Sequence, residues 1–202
     1  MSNKNEIKGS QTLERKMETH INLKEMVKSA ENPKLESVFM EVDFAPNVGK
    51  IYMAGKLFSE ADRTQRRIEY ERLKLANQKY NINKKIFSPI FADVNDKSKL
   101  PSALDIFEAD ESELMESDVI FADLSDGDEG VMMELGMVLL TGVNIYAYIS
   151  DIRIESAGEY DGIHVPFGYN QFVVGGLQKY HRGVHLSFDS ALKEYIRDNR
   201  KD

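Results

Sequence analysis

The stretch Asp118-Val-Ile-Phe-Ala-Asp-Leu-Ser-Asp-Gly-Asp128, continued by Glu129-Gly-Val-Met-Met-Glu-Leu-Gly-Met-Val-Leu-Leu140 and Thr141-Gly-Val-Asn-Ile-Tyr-Ala-Tyr-Ile149, decides the fold class. A short run of apolar residues gives way to a polar loop. A helix-forming segment follows from about Glu129 to Leu140, Gly142 stops it, and a second apolar run covers Val143–Ile149. The apolar length of Val131–Ser150 approaches that of a membrane span. Glu134, Gly136 and Gly142 interrupt it, so it reads as a helix and then a strand. Strand, helix and strand in this order imply parallel pairing with the helix on a sheet face.

The same alternation extends in both directions. Ile51–Gly55 is an apolar run ending in glycine. Ser59, with Asp62 three residues later, starts a charged helix reaching about Tyr80. A second strand is expected over Lys85–Ile90, ending near Pro89, and a helix from about Ala103 to Glu116. After an irregular stretch from Ser150 to Asn170, His181–Leu186 reads as a short fifth strand and Ser187 caps a last helix to Asn199. The expected architecture is α/β: a doubly wound, flavodoxin-like, five-stranded parallel sheet flanked by helices. Residues 1–47 form an N-terminal extension with one helix around Leu13–Val27, and residues 48–202 form the body. Ligands of such sheets bind outside the carboxyl ends of the strands. The loops after Ala54, Ala122 and Ile149 are therefore expected to converge on one pocket.

Composition narrows the function classes. The 202 residues carry 26 basic and 34 acidic side chains, a net charge of −8, which argues against a nucleic-acid partner. There is no cysteine, so disulfides, thiolate zinc sites and thiol nucleophiles are excluded. The polar start, Met1–Ser10, lacks the apolar core of a secretory signal, and the expectation is a cytoplasmic protein without a membrane partner. Fourteen acidic residues against two lysines lie between Asp93 and Glu134, whereas Ser59–Lys85 holds eight basic residues and four acidic ones. Several motifs are rejected. Asn47-Val-Gly-Lys50 lacks the first glycine and the Ser/Thr of a phosphate-binding loop. His181 and His185 are separated by Gly183 in a strand-like context, unlike a zinc pair.

Glu134 is the sharpest candidate. It is the only charged residue between Glu129 and Asp151, and its neighbours three and four positions away are Gly130, Val131, Met137 and Val138. A carboxylate on an apolar face is costly unless it is paired or used. The competing reading is a glutamate that reaches the surface. Asp128, six residues earlier, reads by itself as the cap of the same helix. Asp110 reads as part of a solvated helix face, and Tyr52 as a core aromatic with a satisfied hydroxyl.

Taken together, Ile51-Tyr-Met-Ala-Gly-Lys-Leu-Phe-Ser59, Asp118–Asp123, Asp128-Glu-Gly-Val-Met-Met-Glu-Leu-Gly136 and Pro166-Phe-Gly-Tyr-Asn-Gln-Phe172 resemble the nucleoside 2-deoxyribosyltransferase family over residues 50 to 200. The resemblance implies transfer of 2-deoxyribose between nucleobases in nucleoside salvage, through a covalent deoxyribosyl ester, with no metal or organic cofactor. It implies Glu134 as nucleophile, Tyr52 as the group orienting it, and Asp128 as the residue that meets the base and moves its proton. Asp110, Phe58, Gly55 and Met133 would line the base and sugar sites. Asn170 and Phe172 match an Asn-x-Met element that a neighbouring subunit donates, with Phe172 departing from Met and Leu57 replacing a common Trp. The working unit would then be a homo-oligomer, at least a dimer with shared sites and up to a hexamer. Two alternatives stay open. One is an N-glycosidase acting on nucleosides or their 5′-monophosphates, for which Lys56, Arg63, Arg66 and Arg67 offer a phosphate site; the plainer reading of these is a basic helix face. The other is a non-catalytic nucleotide sensor.

Overall fold

The computed structural model describes residues 47–151, 159–160, 163–164 and 169–200. The helix expected around Leu13–Val27, and residues 166–168 of the last motif, lie outside the described residues. The described chain runs β1 (Asn47–Ala54), α1 (Glu60–Lys79), β2 (Lys85–Phe87), α2 (Ala103–Met115), β3 (Ser117–Asp123), α3 (Glu129–Val138) and β4 (Asn144–Tyr148). A two-residue hairpin follows, β5 (Glu159–Tyr160) and β6 (Ile163–His164), and then α4 (Gln171–Tyr180), β7 (Val184–His185) and α5 (Phe188–Asn199).

Five strands form a parallel sheet in the order β2-β1-β3-β4-β7. Alternation along the strands sorts their side chains. Ile51, Met53, Val119, Phe121, Tyr146 and Tyr148 pack beneath α1 and α5, against Leu73, Ala76, Leu192 and Tyr195. Tyr52, Ala54, Ile120, Ala122, Ile145 and Ala147 face the other way, against Leu114, Val131, Leu135, Val138 and Leu177 of α2, α3 and α4. The doubly wound, flavodoxin-like arrangement expected from the sequence is the observed one. The strand order reverses between β1 and β3, which opens a crevice at their carboxyl ends. No helix among the described residues is long and apolar enough to cross a membrane.

Local chemistry explains where the helices start. Ser59 accepts a hydrogen bond from the Asp62 amide, and the Asp62 carboxylate accepts one from the Ser59 amide. Ser102 and Asp105 repeat this exchange at α2. Four boundaries differ from expectation. β1 begins at Asn47, where the apolar run suggests Ile51. β2 stops at Phe87 because Pro89 has no N–H to continue the ladder, and three 3-10 turns (Pro89–Phe91, Asp93–Asn95, Lys97–Lys99) carry the chain to α2. The fifth strand shrinks to Val184–His185. The residues after Asn170, for which the sequence suggests no element before His181, form the helix α4 with Phe172 in its first turn. The pair Gly175-Gly176 disguises that helix. Gly176 serves close packing, since a Cβ there would lie 3.2 Å from Leu139 Cδ2.

Candidate active site

The carboxyl ends of β1 and β3 border a cavity of about 820 Å³, within the range of small-molecule sites. Gly55, Lys56, Leu57 and Phe58 line it from the loop after β1, Pro89 to Asp93 with Asn95 and Asp96 from the turns after β2, Arg63 and Arg67 from α1, Asp110 from α2, and Asp128 and Glu134 from α3 and its cap. The loop after β4, expected to share the pocket, contributes none of the described lining residues; the turns after β2 line the cavity on the β1 side instead. A smaller apolar hollow of about 210 Å³ adjoins it between α2 and α3. Asp110, Gly130 and Glu134 line both, and Met133 lines only the hollow.

Glu134 sits in the second turn of α3 and reaches back to the sheet. There the Tyr52 hydroxyl donates a 2.6 Å hydrogen bond to its Oε1. Tyr52 is fully buried, so it lies beneath the cavity floor and does not line it. The plain reading of Tyr52, a core aromatic whose hydroxyl is satisfied, holds, and the group that satisfies it is Glu134; the plain reading of Glu134 does not, because its carboxylate turns back to the sheet and not to the surface. Burial pushes the Glu134 carboxyl up to about 7. The Tyr52 hydrogen bond opposes that shift, and the charges of Asp110 and Asp128 add to it. Tyr52 is itself held far above the ordinary phenol range, first by burial and then by the Glu134 charge, so it stays a donor at all working pH values.

Asp128 is the cap of α3, accepting from the Val131 amide at 3.1 Å, and it lines the cavity as well. The two readings of this residue are compatible, because a cap uses one carboxylate oxygen. Phe58 lines the cavity while 77% exposed. Asn170 does not reach this cavity in its own chain. It caps α4, accepting from the amides of Phe172 and Val173, and Phe172 points outward, 90% exposed.

Sequence reasoning misjudged Arg66. The plainer reading of the sequence puts it on a basic helix face, yet it is 3% exposed. Its guanidinium binds Asp123 at 2.5 Å and Glu69 at 3.0 Å, and donates to the Tyr148 hydroxyl at 3.2 Å. Asp123 in turn accepts from the Ser125 amide, and the Ser150 amide donates to Ser125 Oγ, so the network holds the loop leading to Asp128. Lys56 pairs with Asp126 at 3.2 Å. Among the described residues, no group of three His, Asp or Glu side chains could hold a metal ion.

A sequence model of the nucleoside 2-deoxyribosyltransferase family matches residues 51–168, more than half of the chain and all the elements that build this cavity up to β6. The chain belongs to that family. Similar solved structures include a conserved protein from Enterococcus faecalis V583, 27% identical, covering 74% of this chain and 98% of its own, with a TM-score of 0.60. A 2-deoxyribosyltransferase from Bacillus psychrosaccharolyticus is 16% identical over 71% of this chain and 90% of its own, TM-score 0.45. A 2-desoxiribosyltransferase from Leishmania mexicana is 20% identical over 74% and 97%, TM-score 0.48. None of the curated proteins compared with the chain matches it. Membership of the nucleoside 2-deoxyribosyltransferase family supports an enzyme acting on nucleosides.

Proposed function

We propose that the protein transfers 2-deoxyribose from one nucleobase to another, with Glu134 as the nucleophile. The observation that carries this reading is the 2.6 Å bond from Tyr52 to Glu134 at the edge of a cavity shared with Asp110 and Asp128. Glycosyl transfer with retention needs one carboxylate to attack the anomeric carbon and an acid to protonate the leaving group. Glu134 Oε2, the oxygen left free by Tyr52, attacks C1′ of the deoxynucleoside as the bond from C1′ to the base nitrogen breaks. Asp128, assisted by Asp110, delivers a proton to the departing base, which would otherwise leave as a poor anion. The product is a deoxyribosyl ester of Glu134 and a free base. A second base attacks C1′ from the face the first one left, gives up its proton to the Asp128 carboxylate, and restores Glu134. The cycle needs no cofactor.

The reading places the enzyme in cytoplasmic nucleoside salvage. Asn170 and Phe172, which miss their own cavity, complete the cavity of a second copy in a homo-oligomer. Mixing Glu134→Ala with Asn170→Ala protein under subunit exchange should restore about a quarter of wild-type activity for randomly paired dimers. No recovery despite exchange would return Asn170 to its own chain.

The deciding experiment incubates the protein with deoxyinosine or thymidine plus adenine and separates the products. A new deoxyadenosine peak supports transfer. Free deoxyribose without deoxyadenosine would instead make the protein an N-glycosidase, and no turnover would leave the sensor reading.

A further inference from the structure

Two guanidinium groups in the cavity have no part in the reaction above. Arg63 and Arg67 stand one turn apart on α1, on the same face, and both line the cavity. Arg63 Nη1 donates to the carbonyls of Leu57 at 3.2 Å and Phe58 at 3.0 Å, and Arg63 forms no ion pair among the described residues. Arg67 makes no hydrogen bond or ion pair among the described residues. Other cations of this helix are engaged: Arg66 with Asp123, Arg72 with Asp189, Lys74 with Glu71. Among the described residues, the arginines of α1 without a carboxylate partner are the two that line the cavity.

Their surroundings suit a flat, neutral ligand. Phe58 and Phe91 line the same cavity with rings largely exposed. Phe91 is fixed by an edge-on contact at 4.8 Å with Tyr70, which lies one turn beyond Arg67. Exposed rings offer faces for stacking a base. The cavity also holds Asp93, Asp96, Asp110, Asp128 and Glu134 against Lys56, Arg63 and Arg67; Lys56 is paired with Asp126 and Asp93 with Lys99, which leaves four acids facing two arginines. That excess of negative charge disfavours a phosphate dianion and leaves a neutral acceptor as the better partner.

We infer that Arg63 and Arg67 read the carbonyl edge of the nucleobase, so that 6-oxopurines are taken in preference to 6-aminopurines. The inference rests on the nucleoside reading of the cavity proposed above. Guanidinium groups only donate. Hypoxanthine and guanine present two adjacent acceptors, O6 and N7, which match a guanidinium fork, whereas adenine presents its N6 amino donor beside N7. A donor facing a donor leaves both unpaired, which is where discrimination between near-isosteric ligands is strongest.

The test measures kcat/KM for hypoxanthine and adenine as acceptors with one donor, thymidine, in wild type, Arg67→Met and Arg67→Lys. Wild type should favour hypoxanthine by roughly tenfold, the lower end of what one bidentate contact discriminates. Arg67→Met should bring the ratio within about twofold by losing hypoxanthine rates, and Arg67→Lys, which keeps charge without the fork, should also lower it. Calorimetric binding of deoxyinosine and deoxyadenosine to Glu134→Gln protein reads the same preference without turnover. Tighter binding of deoxyinosine, lost on adding Arg67→Met, upholds the inference even if no transfer occurs. Active transfer with a flat ratio in wild type, or a ratio unmoved by Arg67→Met, overturns this inference alone. Loss in Arg67→Met of a preference for the 5′-monophosphate, with the base ratio unchanged, overturns it in favour of a phosphate site. Binding of neither nucleoside overturns both this inference and the proposed function.

Discussion

Tyr52 on β1 and Glu134 on α3 are 82 positions apart in the chain, and the hydroxyl of one holds the carboxylate of the other at 2.6 Å. The bond favours the ionised carboxylate, while burial and the neighbouring acids favour the neutral one, and the balance puts Glu134 near neutrality. Tyr52→Phe removes the one influence that lowers it. The acidic limb of the rate profile, expected near pH 7 in wild type, should move to higher pH. Activity at pH 7 should fall about 10- to 100-fold and partly recover at pH 9. Steady-state rates across pH 5–9 check this, and an unmoved limb would remove Tyr52 from the control of Glu134.

The same balance has a consequence for stability. Glu134 holds its proton more tightly folded than unfolded, so the native state binds more protons between the ordinary glutamate range and about pH 7. Stability therefore falls as pH rises through that window. Glu134→Gln keeps an acceptor for Tyr52 and removes the charge. It should raise stability by roughly 2 kcal/mol at pH 8 and by little at pH 4.5. Urea unfolding at the two pH values tests it; an equal effect at both would contradict the link to ionisation.

Gly55 and Arg66 share one space. A Cβ on residue 55 would lie 2.2 Å from Arg66 Nη1, and the guanidinium cannot swing aside without leaving Asp123, Glu69 and Tyr148. Gly55→Ala should cost about 2–4 kcal/mol, as overpacking or a broken buried ion pair does. Combined with Arg66→Met, it should cost less than the two single changes added together. Additive effects in denaturant melts would mean that the methyl group finds room elsewhere.

If Asp128 and Asp110 protonate the leaving base, their replacement matters least where no protonation is needed. Asp128→Asn, which retains an oxygen to cap α3, should slow transfer between natural bases by about 10²-fold or more. It should slow a deoxyriboside with an activated, weakly basic leaving group far less. Equal losses on both substrates would oppose the proton-donor role.

Most of the fold and the polar constellation were legible because they depend on short-range signals. Strand and helix alternation, Ser59 with Asp62, and the isolation of Glu134 on an apolar helix are all local in sequence. Four things were not legible, each for a physical reason. Gly175-Gly176 concealed a helix whose glycines serve contact with Leu139. Arg66 looked like surface charge because its partners Asp123 and Tyr148 lie 57 and 82 positions away. The turns from Pro89 to Asp96 form a cavity wall although they carry no periodic pattern. Asp128 could be read as a cap or as a site residue, and only the placement of its side chain shows that one carboxylate occupies both positions.

The central claim is a covalent bond between Glu134 and C1′ of deoxyribose. Wild-type protein mixed with deoxyinosine, quenched in acid within seconds and examined by intact-mass spectrometry should carry one added deoxyribosyl mass. Peptide mapping should place it on the segment containing Glu134. Glu134→Gln protein, folded as judged by its melt, should carry none and should lose about 10³-fold or more in transfer rate. An adduct on another residue, or near-normal transfer by Glu134→Gln, would contradict the account.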